Sequence, residues 1–500
     1  MAVNNEGGTG PWQTALGQMW QAPAPLRDTL PPRSDANDSD KRLPDLAAAF
    51  DAMQIKDGAT LSFHHHYRNG DRLICAVLEE AARRGLRGLT IAPSSLFGVH
   101  APLAALMQSG VIADVVTDYA RGGAADAMMS GALRSLPVLQ SHGGRARALT
   151  TGQLRVDVAF IGASLARVNG ACTGRGGTLA CGPLGYAQVD AGYAKRTVVC
   201  AHEITQAALP LTDVPSHHVD AVIPFAHPGD AGGIASETTL AAQTAQAASI
   251  SDLVAQVVVA AGMMRDGMSL QTGAGGYSLA CVPVIGQAMA TRGITGGFIS
   301  GGITGAHAAL LRGGLFCRIH DVQCFDIAAV ASALTNPDHR IMSASEYANP
   351  QHPAPVVDRL DVMVLGAVEV DAAFNVNVTI GGDGRLIGGP GGHPDAAAGA
   401  RLTIVTTGLN GGGYAKLVER VRCVTTQGRD VDVVITDHGI AVNPQRPDVR
   451  ADLARAGLPV VDFAQLQALA AQSASKAALP NPDTPRLIIE HRRGGALDWA

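Results

Sequence analysis

The stretch "RVDVAFIGASLARVNGACTGRGG" (residues 155–177) has a counterpart later in the chain, "RLDVMVLGAVEVDAAFNVNVTIGGDG" (359–384). Each opens on Arg-x-Asp-Val, runs through an apolar strand to Gly-Ala, reaches an Asn about a dozen residues on and ends in glycines. Two copies of one strand-and-turn plan suggest two related α/β lobes. Outward from the first copy, "LTIAPSSL" (89–96) and "RTVVCAHEI" (196–204) are β-branched runs of buried-strand type. Between them, "RLICAVLEEAARRG" (72–85) repeats its apolar residues at three and four, the helical spacing. Strands alternating with helices imply mainly parallel sheets with right-handed crossovers. The expected organisation is a polar, partly flexible arm over 1–45, a first α/β lobe over 46–230 and a second over 231–500. The division falls near the turn-rich "AHPGDAGG" (226–233). The end, "RLIIEHRRGGALDWA" (486–500), reads as a hairpin turning at Gly494-Gly495.

Composition narrows the function classes. Aromatic residues are 4% of 500, and there are 59 glycines, so the core is aliphatic and the turns are tight. Charged residues at 16% fall below the usual quarter or so, which points to much buried surface and to an oligomer. The net charge of −5 comes with no Lys/Arg block, so no nucleic-acid partner is expected. The start "MAVNNEGGTGPWQTALG" lacks the pattern of a secretory signal, and the longest apolar run, "LVAQVVVAAGMM" (253–264), is too short for a membrane span. The eight cysteines show no CxxC spacing and read as reduced thiols, so the chain is expected in the cytoplasm.

Four glycine clusters stand out: "SHGGRA" (141–146), "QTGAGGYSLA" (271–280), "ISGGITGAH" (299–307) and "GGPGGHPDAAAGA" (388–400). None is a Walker loop or a GxGxxG turn with its acid, but each offers bare N–H groups that suit phosphate or a developing oxyanion. "SFHHHYRNGD" (62–71) invites a zinc reading, yet strand geometry puts only His64 and His66 on one face. No supporting acid or thiol can be placed, so no metal is expected. The other reading gives those two histidines and Arg68 an anion to line. In "GGHPDAAAGA", Asp395 either caps a short helix or joins His393 at a reacting acyl group, with Gly391 and Gly392 donating N–H bonds. Asp437 and His438 of "TDHGIAVNP" (436–444) follow the strand-like "VDVVI" and so stand at a carboxyl end.

Together, "LSFHHHYRNGD", "PSSLFGVHAPL", "SHGGR", "GPLGYAQVDA", "QTGAGGYSLA", "GGITG", "DVQCFD", "EYANP", "GGHPDAAAGA" and "TDHGIAVNPQRPD" resemble the alpha subunit of citrate lyase, in order from about residue 50 to 500. That family sits among the CoA-transferase-like proteins, whose fold is two related α/β lobes. The resemblance implies an acyl-carrier transferase, exchanging citrate for acetate on the acetyl thioester of a carrier. The chain itself would hold no permanent cofactor. The CoA-like phosphopantetheine thiol would belong to a small gamma subunit, and a beta subunit would cleave the citryl thioester. The resemblance implies catalytic roles for His393, Asp395, Gly301 and Gly302. It places the substrate at His64, His66, Arg68, Arg145, Gly391 and Gly392, and the carrier's arm at Gly273, Gly275, Gly276, Asn375 and Asn377.

Two departures matter. Related CoA-transferases carry an attacking glutamate in the segment matching 299–307, where this chain has Gly301. Direct attack by citrate, through a mixed citric–acetic anhydride, is therefore expected, with Glu369 as the runner-up nucleophile. The loop "ASLARVNGACTG" (163–174) has Arg167 and Val168 where an acidic pair is expected, which either alters carrier docking or marks a peripheral loop. The alternatives are a free-standing CoA-transferase for another carboxylic acid and a non-catalytic scaffold.

Overall fold

A computed structural model describes residues 39–235 and 239–500. The expected arm lies almost wholly outside them. Two large sheets follow one plan. In the first, the strands stand in the order Val138–Leu139, Ile112–Thr117, Leu89–Pro93, Thr60–Phe63, Val158–Arg167, Arg196–Thr205, Ala221–Pro224, all parallel. In the second, they stand in the order His339–Ile341, Phe316–Cys324, Gly296–Ile303, Ser269–Thr272, Val362–Gly366, Leu402–Thr406, Val433–Thr436, again parallel. Each sheet starts at its centre, grows outward on one side, then returns to add strands on the other. The second sheet adds one antiparallel edge strand, Gly439–Val442.

The repeated Arg-x-Asp-Val now has a physical reason. Asp157 Oδ2 accepts the N–H of Thr60 at 2.9 Å, and Asp361 Oδ2 accepts the N–H of Ser269 at 3.0 Å. Thr60 and Ser269 open the central strand of each sheet, so each aspartate satisfies a donor that the ladder leaves bare. Asp220 and Asp432 do the same for Thr197 and Thr403, both at 2.7 Å.

The terminal hairpin turns at Gly494 and Gly495, both at positive φ (99° and 78°). Its strand Ile488–Glu490 pairs in parallel with Val138–Leu139, so the last residues complete the first sheet. The expected second lobe thus gives its end to the first. The two-lobe division near residue 230 is our proposal, with this hairpin crossing back. The lobes share a buried cluster in which Tyr186 and Val189 meet Val322, Met342 and Leu365. Gly185 begins the helix Gly185–Tyr193 at this seam, and a Cβ there would stand 2.5 Å from the Val322 carbonyl.

Candidate active site

A cavity of about 640 Å³ opens where the carboxyl ends of both sheets meet. The first sheet contributes residues just past its strands: His65, Ser95, Tyr119 and His142. The second contributes Gln271, Gly302, Gly366 and Thr406 at its own strand ends. Parallel sheets place ligands at this edge, because strand ends and helix starts converge there. The lining carries Arg68, Lys416 and three imidazoles, and among the described residues no Asp or Glu side chain reaches it. Arg68 sits in a tight turn at φ 52°, its guanidinium 4.9 Å from the centroids of both Phe97 and Phe325. Burial lowers it to about 10, so it stays charged at neutral pH. Burial likewise pushes the Lys416 ammonium down to about 8.

The glycines of 388–392 are there because the loop crosses from one lobe to press on the other. Ala120 N–H donates to the Gly388 carbonyl at 3.2 Å, Gly391 N–H to the Asp118 carbonyl at 3.1 Å and His142 N–H to the Gly391 carbonyl at 2.8 Å. A Cβ at Gly389 would overlap the Asp118 carbonyl, and one at Gly392 would stand 2.5 Å from the Tyr347 hydroxyl. Gly391 N–H is therefore committed, which corrects its expected role as an oxyanion donor. Gly273 N–H is committed too, to the Val364 carbonyl at 2.8 Å. The N–H groups of Gly275, Gly276 and Gly392, all on the cavity wall, have no partner among the described residues.

His393 lines the cavity, but its ring is spent on the scaffold. Its Nε2–H donates to the Gly366 carbonyl at 2.9 Å, so its Nδ1 accepts from the Thr426 hydroxyl at 2.7 Å. Burial lowers it to about 4. Asp395 is fully buried and off the cavity. It caps another lobe's helix, His142–Thr150, and not its own: Gly143 N–H donates to it at 2.7 Å and the Ser141 hydroxyl at 2.9 Å. Arg492 Nε adds a third bond at 3.3 Å. Both expected readings of Asp395 give way to an interlobe tie.

Further corrections follow from packing. Beyond the strand Thr60–Phe63 the histidines still alternate, and His64 and His66 do share a side, rings 5.4 Å apart. That side is the interior; the cavity receives His65. Arg145 is not available to an anion, since it holds Asp190 bidentately at 2.6 and 2.8 Å in the interior. Glu369, raised by burial, accepts from Asn377 Nδ2 at 2.8 Å and from Arg422 N–H at 2.9 Å, away from the cavity. Asn377 and Asn375 serve that same turn, the latter accepting from Gly428 N–H at 3.0 Å. Gly301 lies behind the wall at φ 97°, at a bulge where a Cβ would meet Gln271 Cδ at 2.7 Å. Gln271 fills the space a longer side chain would need, tied to Ser300 Oγ at 2.8 Å and the Tyr347 hydroxyl at 2.7 Å. Gly302, Gly275 and Gly276 do line the cavity. Asp437, His438, Arg167 and Val168 do not.

A family model for "Citrate lyase, alpha subunit (CitF)" matches residues 39–499. The chain belongs to the citrate lyase alpha subunit family. It is 37% identical to the citrate lyase alpha chain of Escherichia coli K12 over 457 residues, covering 91% of this chain and 89% of that one. It is 36% identical to the one of Haemophilus influenzae over 454 residues, 91% of each. A solved structure of a citrate lyase alpha subunit from Streptococcus mutans, in complex with citrate, superposes with a TM-score of 0.90 at 35% identity, over 96% of this chain and 94% of that one. The alpha subunit of a malonate decarboxylase from Acinetobacter baumannii shares the fold (TM-score 0.63, 15% identity, 89% and 94% covered). The chain is thus an enzyme, the transferase subunit of a multi-subunit citrate lyase, and the free-standing alternative is not favoured. No helix among the described residues is long and apolar enough to cross a membrane.

In this alpha subunit the sequence reading missed His65, His142 with Asp118, and Lys416. His142 was within reach. It follows the strand Val138–Leu139 inside "SHGGR", the same strand-end placement that drew attention to Asp437 and His438. Lys416 carried no signal, because it stands in a short loop strand region with no motif around it.

Proposed function

We propose that this alpha subunit moves the carrier from acetate to citrate by direct attack, with no covalent enzyme intermediate. A citrate carboxylate oxygen adds to the acetyl carbonyl of the carrier thioester. The tetrahedral centre collapses, the C–S bond breaks, and a thiolate and a mixed citric–acetic anhydride result. The thiolate then adds to the citryl carbonyl, the bond to the bridging oxygen breaks, and acetate leaves with that oxygen. No proton is gained or lost. The observation that carries this reading is a cationic, imidazole-rich cavity without a single Asp or Glu side chain on its described wall. Such a wall attracts a tricarboxylate and offers no enzyme nucleophile of the glutamate kind.

Arg68 and Lys416 supply fixed charge for citrate, whose presence in the Streptococcus mutans neighbour accords with this role. The bare N–H groups of Gly392, Gly275 and Gly276 are the candidate donors to the tetrahedral oxyanion, where losing one such donor costs about 3–4 kcal/mol. The glycine wall at 273–276 leaves room for a pantetheine arm carried by a gamma subunit, with a beta subunit as the lyase and the complex in the cytoplasm. The chain expressed alone with acetyl-CoA and citrate should release acetate and form citryl-CoA. Release of acetate equally with simple monocarboxylic acids would favour a general CoA-transferase, and no exchange with any acid would remove the reading.

A further inference from the structure

Two imidazoles face the cavity from the first lobe, His65 and His142, with rings 5.9 Å apart and nearly parallel. Their partners hold them in opposite tautomers. The hydroxyl of Ser94 takes the His65 backbone N–H at 3.1 Å and lies 2.6 Å from His65 Nδ1, the one acceptor recorded for that hydroxyl among the described residues. Nδ1 of His65 is thus the acceptor and Nε2–H the donor turned to the cavity. His142 is the reverse. Its Nδ1 lies 2.8 Å from Asp118 Oδ2, and Nδ1–H donates to that carboxylate, leaving Nε2 an acceptor. That Nε2 has no partner among the described residues and faces the loop at Gly391. Burial lowers His142 to about 4, so the ring is uncharged at neutral pH. Burial raises the Asp118 carboxyl well above its usual range, and the Arg145 charge and the His142 Nδ1–H bond favour the ionised form on which this tautomer rests.

An uncharged acceptor is out of place in a wall built for carboxylates unless the ligand also brings a donor. Citrate brings one, its tertiary hydroxyl. Resting on the reading of this cavity as a citrate site, we propose that His142, held in tautomer by Asp118, accepts the substrate hydroxyl and so selects 2-hydroxy tricarboxylates over their deoxy analogues. His65 and Arg68 meet the carboxylates that both kinds of acid share. His142 is then a specificity residue, and Asp118 acts through it as a positioning residue.

The test is calorimetric binding of citrate and of propane-1,2,3-tricarboxylate to the full chain at neutral pH. The deoxy acid should bind at least about 10-fold more weakly, the usual cost of an acceptor left bare. His142→Ala should bring citrate down to the level of the deoxy acid while leaving the latter within about 3-fold. Asp118→Asn donates to Nδ1 and so turns Nε2 into a donor; it should erase the preference without removing the ring. Should that variant not fold, by circular dichroism, His142→Ala on the cavity wall carries the test alone. Equal binding of the two acids by the unaltered chain, or an unchanged preference in either folded variant, overturns the inference and leaves the citrate site standing. Binding of neither acid removes both.

Discussion

Arg68 and His393 sit on one cavity wall and do different work. Arg68 presents charge between two aromatic faces, so Arg68→Ala should raise the citrate KM by at least about 10-fold with kcat within about 3-fold, as steady-state kinetics would read. His393 has both nitrogens committed to the scaffold and a folded pKa of about 4 against about 6.5 unfolded. A depressed histidine stabilises fully above 6.5 and loses that contribution as pH falls toward 4, because the unfolded chain takes the proton first. His393→Gln should therefore be less stable than the parent at pH 7.5. The gap in urea unfolding should narrow by up to about 1.4 kcal/mol per pH unit below 6.5. A constant gap would mean His393 titrates normally. At this scale the sequence is least legible: alternation puts His64 and His66 on one side, but that this side is interior depends on the Arg145–Asp190 pair packed beside His64, which alternation cannot report.

Among elements, the loop 388–392 decides how closely the lobes meet. Its glycine content was visible in the sequence, and so was the inference that backbone comes close to something. The something is the other lobe at Gly389, where the Asp118 carbonyl lies against it, and the loop's own lobe at Gly392, where the Tyr347 hydroxyl does. Gly389→Ala should cost about 2–3 kcal/mol in urea unfolding, since the atom it meets is backbone and cannot turn aside. A loss below about 0.5 kcal/mol would show that the lobes can part at no cost. The Arg-x-Asp-Val repeat was legible as a repeat. Its meaning, a carboxylate satisfying the first N–H of the neighbouring central strand, needed the sheet order that no short segment carries.

For the whole molecule, parallel α/β lobes and the family were readable because many short motifs kept their order along the chain. The closing hairpin was readable as a hairpin, while its destination was not, since pairing with Val138–Leu139 joins residues far apart in sequence. Deleting residues 486–500 should leave no cooperatively folding product by circular dichroism, because Val138–Leu139 loses its outer neighbour and Arg147 its partner Glu490 at 2.6 Å. A folded, active truncation would show that the first sheet is complete without it. The central claim concerns the cavity that these sheets build: citrate itself, and no side chain of the enzyme, attacks the acetyl thioester. Citrate labelled with ¹⁸O in its carboxylates, reacted in a single turnover with acetyl thioester and unlabelled enzyme, tests this most directly. Direct attack predicts that each acetate carries one ¹⁸O from citrate; unlabelled acetate alongside labelled citryl thioester would mean an enzyme carboxylate came between them.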